Sequence, residues 1–368
     1  MRIALAIIIC VHGAIHLFGF LKAFGVAEFN AITQPISKPV GMIWLTAVLL
    51  FAATLVLFLL QNMLWWAPGM AAVVVSQLLI IAYWQDAKFG TILNLVILAS
   101  AIIAYSSYSF KKGVSEEIVQ MATLSGNTDK TIVSKEMITN LPPTVQNWLV
   151  QSGAVGKERV QNVYLEQEAE MQLKPEQKNW TPAKARQYFT VQPPAFNWWV
   201  DLKMNGFIDV IGRDKFENGR GEMVIKLFSL IPIADARNSE KIDQATLQRY
   251  LAEIVWFPSA ALSPYISWEK VDDTSAKATM EYNGTKGSGV FHFDEAGNFK
   301  KFVAMRFNGE KTIEWTVIAT KSEKRNGVKI PTECEAIWGM ENGDWTWLKL
   351  RVTHIQYNNQ KMPLVKHE

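Results

Sequence analysis

NVYLEQEAEMQL, residues 162–173, alternates between two kinds of side chain. Val163, Leu165, Gln167, Ala169, Met171 and Leu173 share one face, and Tyr164, Glu166, Glu168 and Glu170 share the other. A period of two marks a strand with one buried and one wet face, as in an antiparallel sheet packed on one side. Similar runs recur at 186–191, 197–204, 207–216, 222–228, 266–271, 276–282, 288–293, 299–307, 312–320, 329–339 and 345–357. Six Asn-Gly pairs, at Asn205, Asn218, Asn283, Asn308, Asn326 and Asn342, fall among or beside these runs, with DEAGN at 294–298. Both residues tolerate positive φ, which makes Asn-Gly a strong hairpin signal. The pattern predicts one long antiparallel meander. Such a sheet must bury a face by closing as a barrel, folding as a sandwich or lying under helices.

Helical signals in this half are few. LPPTVQNWLVQSGAVG (141–156) reads as one short helix, with Pro143 in its first turn, Gly153 at its stop, and Trp148 and Leu149 toward the core. A second helix, 243–257, opens at Asp243 as N-cap and places Leu247, Tyr250, Leu251 and Ile254 at i, i+3, i+4 and i+7. Arg249 and Glu253 lie at i and i+4 on another face and read as a solvent pair. Pro258 ends the helix, and WFPSAALSPY (256–265) is unusually apolar for a connection.

The N-terminal part is of another kind. Of the 37 basic and 34 acidic residues, six fall in the first 110. Stretches at 3–24, 40–60, 66–84 and 91–108 approach the roughly 20 apolar residues a bilayer span needs. Trp44, Trp65, Trp66, Tyr83, Trp84, Tyr105 and Tyr108 fall near span ends, as an interfacial aromatic belt does. The expected domains are a four-helix transmembrane domain at 1–109, a polar linker at 110–140, whose first residues read as a linker or a short helix leaving the membrane, and a β-rich domain at 141–368. Lysine and arginine do not decide the orientation: Arg2, Lys111 and Lys112 flank one side, and Lys22, Lys38 and Lys88 the other. The expected location is the cytoplasmic membrane, with the β-rich domain on the extracytoplasmic side.

Polar groups in or beside the spans are candidates for function. HGAIH puts His12 and His16 on one helix face, and Gln77, Asp86, Lys88 and Asn94 accompany the third and fourth spans. Intramembrane polar groups are costly and are expected to face partners rather than lipid. Two imidazoles at this spacing suit a metal or haem. The plainer reading is interhelical hydrogen bonding, with Gly13 and Gly19 permitting close approach. No further ligand cluster accompanies the histidines, so no metal and no cofactor is assigned.

Other chemistry is not signalled. Cys10 and Cys334 lie in different halves and make no disulfide or zinc framework. No phosphate loop, dinucleotide fingerprint or nucleophile elbow occurs, and no catalytic residue is named. Asp272 and Asp273 open a turn, and His292 and His354 are isolated in strands. Lysine and arginine form no stripe, which argues against nucleic acid.

RYLAEIVWFPSAAL (249–262), WEKVDDTSAKATM (268–280), FHFDEAGNF (291–299) and SQLLIIAYWQDAKFGTILN (76–94) carry a resemblance. Together they are similar to an uncharacterised bacterial membrane-protein family whose soluble domain resembles the LolA/LolB-type lipoprotein-carrier fold. The resemblance implies an incomplete barrel covered by helices that holds acyl chains. The chain departs from true carriers in lacking a lipobox cysteine and in its tether of four helices, which argues against shuttling between membranes.

Three readings of function follow. The first is a membrane-tethered binder of a lipid or other apolar ligand. The second is a structural or assembly protein without a small ligand, whose protein partners the sequence does not name. The third is a redox or metal protein using His12 and His16. The first predicts an elongated cavity of roughly 300 Å³ or more beneath the helix 243–257. Trp198 or Trp199, Leu247, Tyr250, Leu251, Ile254 and Trp256 are expected to border it. A close-packed interior there, with no such cavity, removes the binding reading and leaves the structural one in front.

Overall fold

A computed structural model describes residues 2–125, 130–206 and 208–359. The start of the run predicted at 207–216 and the last residues of the β-rich domain lie outside the described residues. Those described fall into two compact units that divide between Lys112 and Gly113.

The first unit holds α1 (Arg2–Ala23), α2 (Lys38–Leu59), α3 (Trp66–Ala82), the short α4 (Trp84–Ala87) and the start of α5 (Gly90–Ser125). Four helical stretches are long and apolar enough to cross a membrane. Glycine sets how closely α1 and α2 pack. A Cβ on Gly13 would lie 2.8 Å from Phe51 Cβ, and one on Gly19 would lie 2.1 Å from the Trp44 ring.

The linker expected at 110–140 is not a single loop. Residues 110–125 continue α5. Val114, Ile118 and Met121 recur at helical spacing and are at most 3 % exposed, a buried stripe hidden within a polar composition. Residues 113–125 belong to the sheet unit. There Glu117 Oε1 accepts from Arg213 Nη1 at 2.7 Å, and Asn197 Nδ2 donates to Glu117 Oε2 at 2.7 Å.

The second unit also contains α6 (Pro143–Gln151), α7 (Glu240–Glu253) and thirteen strands. These are β1 (Asn162–Met171), β2 (Thr181–Thr190), β3 (Ala195–Met204), β4 (Ile208–Glu217), β5 (Arg220–Leu227), β6 (Ile231–Ala236), β7 (Ile266–Lys270), β8 (Ser275–Tyr282), β9 (Thr285–Phe293), β10 (Phe299–Phe307), β11 (Thr312–Arg325), β12 (Val328–Met340) and β13 (Gly343–Tyr357). One sheet takes them in the order β6-β5-β4-β3-β2-β1-β13-β12-β11-β10-β9-β8-β7. All neighbours are antiparallel, and β1 closes the meander against β13. The sequence runs miss β6, which is short, carries Pro232 and lies at an edge, where a missing N–H donor is tolerated.

The sheet curls into a half-barrel. α7 packs on β4 and β5 and also on β8, β9 and β10, strands far apart in the sheet order. The β4–β5 and β8–β9 hairpin tips meet, where Thr285 Oγ1 donates to Gly219 O at 2.7 Å. A Cβ on Gly219 would lie 2.9 Å from Asn283 Cβ, so glycine permits that approach.

Two helix details differ from expectation. Ser239, not Asp243, is the N-cap of α7. Asp243 lies inside the first turn, 1 % exposed, where its carboxylate accepts from Gly221 N at 2.7 Å and Arg220 Nη1 at 2.8 Å. The α-helix stops at Glu253, and two 3-10 turns, Ile254–Trp256 and Pro258–Leu262, carry the chain onward.

Candidate functional site: the concave face of the half-barrel

Register decides which side chains face inward. Leu165 pairs with Gln187, Gln187 with Trp198, and Trp198 with Asp214, so these four share a face. Val163, Phe189, Phe196 and Phe216 form the next row on that face. Trp198 belongs to the large buried cluster that includes Leu247, Tyr250, Leu251, Ile254 and Trp256. Trp199 lies on the other face beside Arg186 and Arg213, and is buried there.

The layer beneath α7 is filled. Leu247, Tyr250, Leu251 and Ile254 are each 0 % exposed. The Phe189 ring packs 4.9 Å from Phe257 and 6.1 Å from Tyr250, centroid to centroid. Tyr250 donates to Thr190 O at 3.0 Å, and Trp256 Nε1 donates to Pro331 O at 3.0 Å. None of the seven residues proposed from sequence as a cavity lining borders a described hollow. The hollows lie at the ends of the strands. One of about 790 Å³ is lined by Val160, Phe257, Pro258, Val328 and Tyr357 among others. Another of about 670 Å³ is lined by Trp180, Met340 and Trp345 together with charged side chains of both signs, among them Lys349, Glu335 and Asp344.

A charged layer sits on the same concave face. Arg249 does not pair in solvent: its side chain is 13 % exposed, and it bridges Asp214 at 2.5 Å and Glu253 at 2.9 Å. Gln187 Nε2 donates to the other Glu253 oxygen at 2.7 Å. The Arg249 guanidinium lies 4.6 Å from the Trp198 ring centroid, near enough for cation–π attraction. Burial pushes the Glu253 carboxyl up, against the opposing pull of Arg249. Burial also lifts the Cys334 thiol to about 12, which makes it an inert core residue.

Beyond this layer runs a ladder of tryptophans. Trp315 pairs with Trp338, and Trp338 with Trp345, across β11, β12 and β13. Arg306 stands at its end, 4.5 Å from the Trp315 ring and 5.6 Å from Trp338. Sequence reasoning named none of Asp214, Gln187 or Arg306 as site residues. The available signal was phase. Asp214 falls in step with Val210, Gly212 and Phe216, and Arg306 with Phe302 and Ala304, so each is a charge on the apolar beat of its strand.

The polar residues of the helical unit sit elsewhere. His12 and His16 are 2 % exposed. His16 Nδ1 donates to His12 O at 2.8 Å. His12 Nε2 lies 2.8 Å from Asn94 Oδ1 and 3.2 Å from Ser76 Oγ. Asn94 Nδ2 donates to Gln77 Oε1 at 3.0 Å, and Gln77 Nε2 to Thr91 Oγ1 at 3.2 Å. These bonds tie α1, α3 and α5 together. Asp86 accepts from Thr33 N and Oγ1, both at 2.8 Å, while Lys88 is exposed beside the Phe89 ring. Among the described residues no group of three or more metal-ligating side chains occurs.

The half-barrel coincides with a family match, to the model described as a family of unknown function (DUF6920), over residues 139–357. The chain belongs to the DUF6920 family. No curated protein matches it significantly. Among solved structures, a LolA superfamily protein from Nitrosomonas europaea is similar at 10 % identity and a TM-score of 0.35, covering 60 % of this chain and 96 % of that one. A DUF1329 family protein from Desulfovibrio piger is similar at 8 % identity and a TM-score of 0.33, covering 60 % and 93 %. A β-barrel-like DUF1849 protein from Brucella abortus follows at 9 % identity and 0.23, covering 54 % and 98 %.

Proposed function

We propose that this DUF6920 chain is a membrane-tethered holder of an apolar molecule, with the half-barrel as its container. One observation carries the reading. A thirteen-stranded sheet lines its concave face with aromatic side chains, and the Trp315–Trp338–Trp345 ladder ends beside a hollow of about 670 Å³. That volume is within the range of small-molecule sites, roughly 300–1,000 Å³. The ligand sits at this end rather than against α7, whose inward side chains are fully buried. The four apolar helices keep the container at a bilayer, where such molecules are concentrated.

The filled layer under α7 favours a second reading, an assembly protein with no small ligand. One experiment separates the two. Full-length protein extracted in mild detergent is examined by native mass spectrometry with lipid extraction, beside Met340→Arg. Binding predicts a co-purified apolar species that Met340→Arg loses while circular dichroism is unchanged. An empty wild-type protein leaves the assembly reading.

A further inference from the structure

Arg306 is a cation on the concave face that makes no direct ion pair among the described residues. The nearby acids are already engaged: Asp214 by Arg249, and Glu253 by Arg249 and Gln187. Arg306 is partly buried and donates its Nε to Ala245 O at 2.8 Å, and no carboxylate of the described residues pairs with it. Burial and the facing Arg249 hold its guanidinium down at about 10, against the opposing pull of Asp214 and Glu253. A half-buried guanidinium with N–H groups left over normally finds acceptors for them. Beside it the Trp315 indole N–H is buried with no acceptor among the described residues. Gln248 holds this end of β10 in place, donating to Ser288 O and Met305 O, both at 3.0 Å. Unused donors at the inner end of an aromatic ladder are the complement of a negatively charged head on an apolar tail. The planar guanidinium fork suits the paired oxygens of a carboxylate or phosphate.

We propose that Arg306 and Trp315 bind the anionic head of an amphiphile, a long-chain carboxylate or alkyl phosphate, whose tail follows Trp338, Trp345 and Met340 toward the hollow beside them. The proposal rests on the binding reading above and adds the sign of the ligand.

The test uses full-length protein stripped of lipid in an uncharged detergent, then given palmitate, hexadecyl phosphate or hexadecanol. Retained ligand is counted by native mass spectrometry. At least one anion should bind about tenfold tighter than hexadecanol, and the tighter of the two identifies the head. Arg306→Met should cut anion retention about tenfold and leave hexadecanol unchanged, which also reports an intact container. Arg306→Lys should recover part of the loss. Equal binding of anions and alcohol, or anion binding indifferent to Arg306→Met, overturns the head-group site and leaves the apolar container standing. Failure of all three probes removes the container as well.

Discussion

Two arginines on one concave face make opposite use of their charge. Arg249, on α7, lies between Asp214 and Glu253 and pairs directly with both. Arg306, on β10, has a backbone carbonyl and two indole rings for company. The surrounding packing follows the same division. Side chains below α7 reach 0 % exposure; the Trp315 and Trp338 rings beside Arg306 are buried too, but Ile313 opposite it, and Met340 and Trp345 farther along the ladder, remain half-buried. The lesson is that the half-barrel has a sealed part, which supplies stability, and an unsealed part with spare polar capacity.

The largest effect that tests this division is the loss of the matched arginine. Arg249→Met leaves Asp214 and Glu253 without their directly paired arginine and should cost about 3–5 kcal/mol. Arg306→Met orphans no carboxylate and should stay within about 1 kcal/mol of wild type, the order of one lost hydrogen bond. Urea unfolding followed by tryptophan fluorescence compares them. Equal losses would erase the distinction between the two regions.

How far this division was legible in the sequence depends on the period. The antiparallel meander, its hairpins and the four apolar helices come from repeats of two and from apolar length, both local properties. Family membership agrees with the resemblance carried by 249–262 and its companions. The site was less legible because it depends on curl. Nothing local to RYLAEIVWF says that Arg249 will face Asp214, 35 residues away in sequence. That contact exists because β4, β5 and β8–β10 meet the same helix. Residues 110–125 left a linker and a short helix both open for a related reason, and they continue α5. Lysine, serine and glutamate suggest a linker by composition, while Val114, Ile118 and Met121 carry the helical stripe.

A smaller effect sharpens the comparison through apolar side chains. Leu251→Ala removes atoms from a site with 0 % exposure and should cost about 2–5 kcal/mol. Met340→Ala, at a half-buried wall position, should cost about 1 kcal/mol, because less surface returns to water. Ligand retention should rank the other way, with Met340→Ala the more damaging. A Met340→Ala protein that is as destabilised as Leu251→Ala would place both in one continuous core.

The smallest effect lies on the opposite face of β9, where it serves as a control outside both concave regions. His292 pairs in register with Ser275 and Lys301. Burial, then the charge of Lys301, holds its imidazole below the ordinary 6.5, with Asp272 opposing. The unfolded chain therefore takes up this proton first as pH falls. Protonation favours the unfolded state, so the contribution to stability is present above pH 6.5 and declines as pH drops below it. His292→Gln removes the titrating group. The stability difference between wild type and His292→Gln should therefore turn against wild type on moving from pH 7.5 to pH 5, with ligand retention the same in both proteins. Carboxylates that titrate in the same interval cancel in that difference. A pH-independent difference would mean that His292 titrates alike in folded and unfolded chains. Altered ligand retention would mean that the convex face communicates with the Trp ladder, against the division drawn from the two arginines.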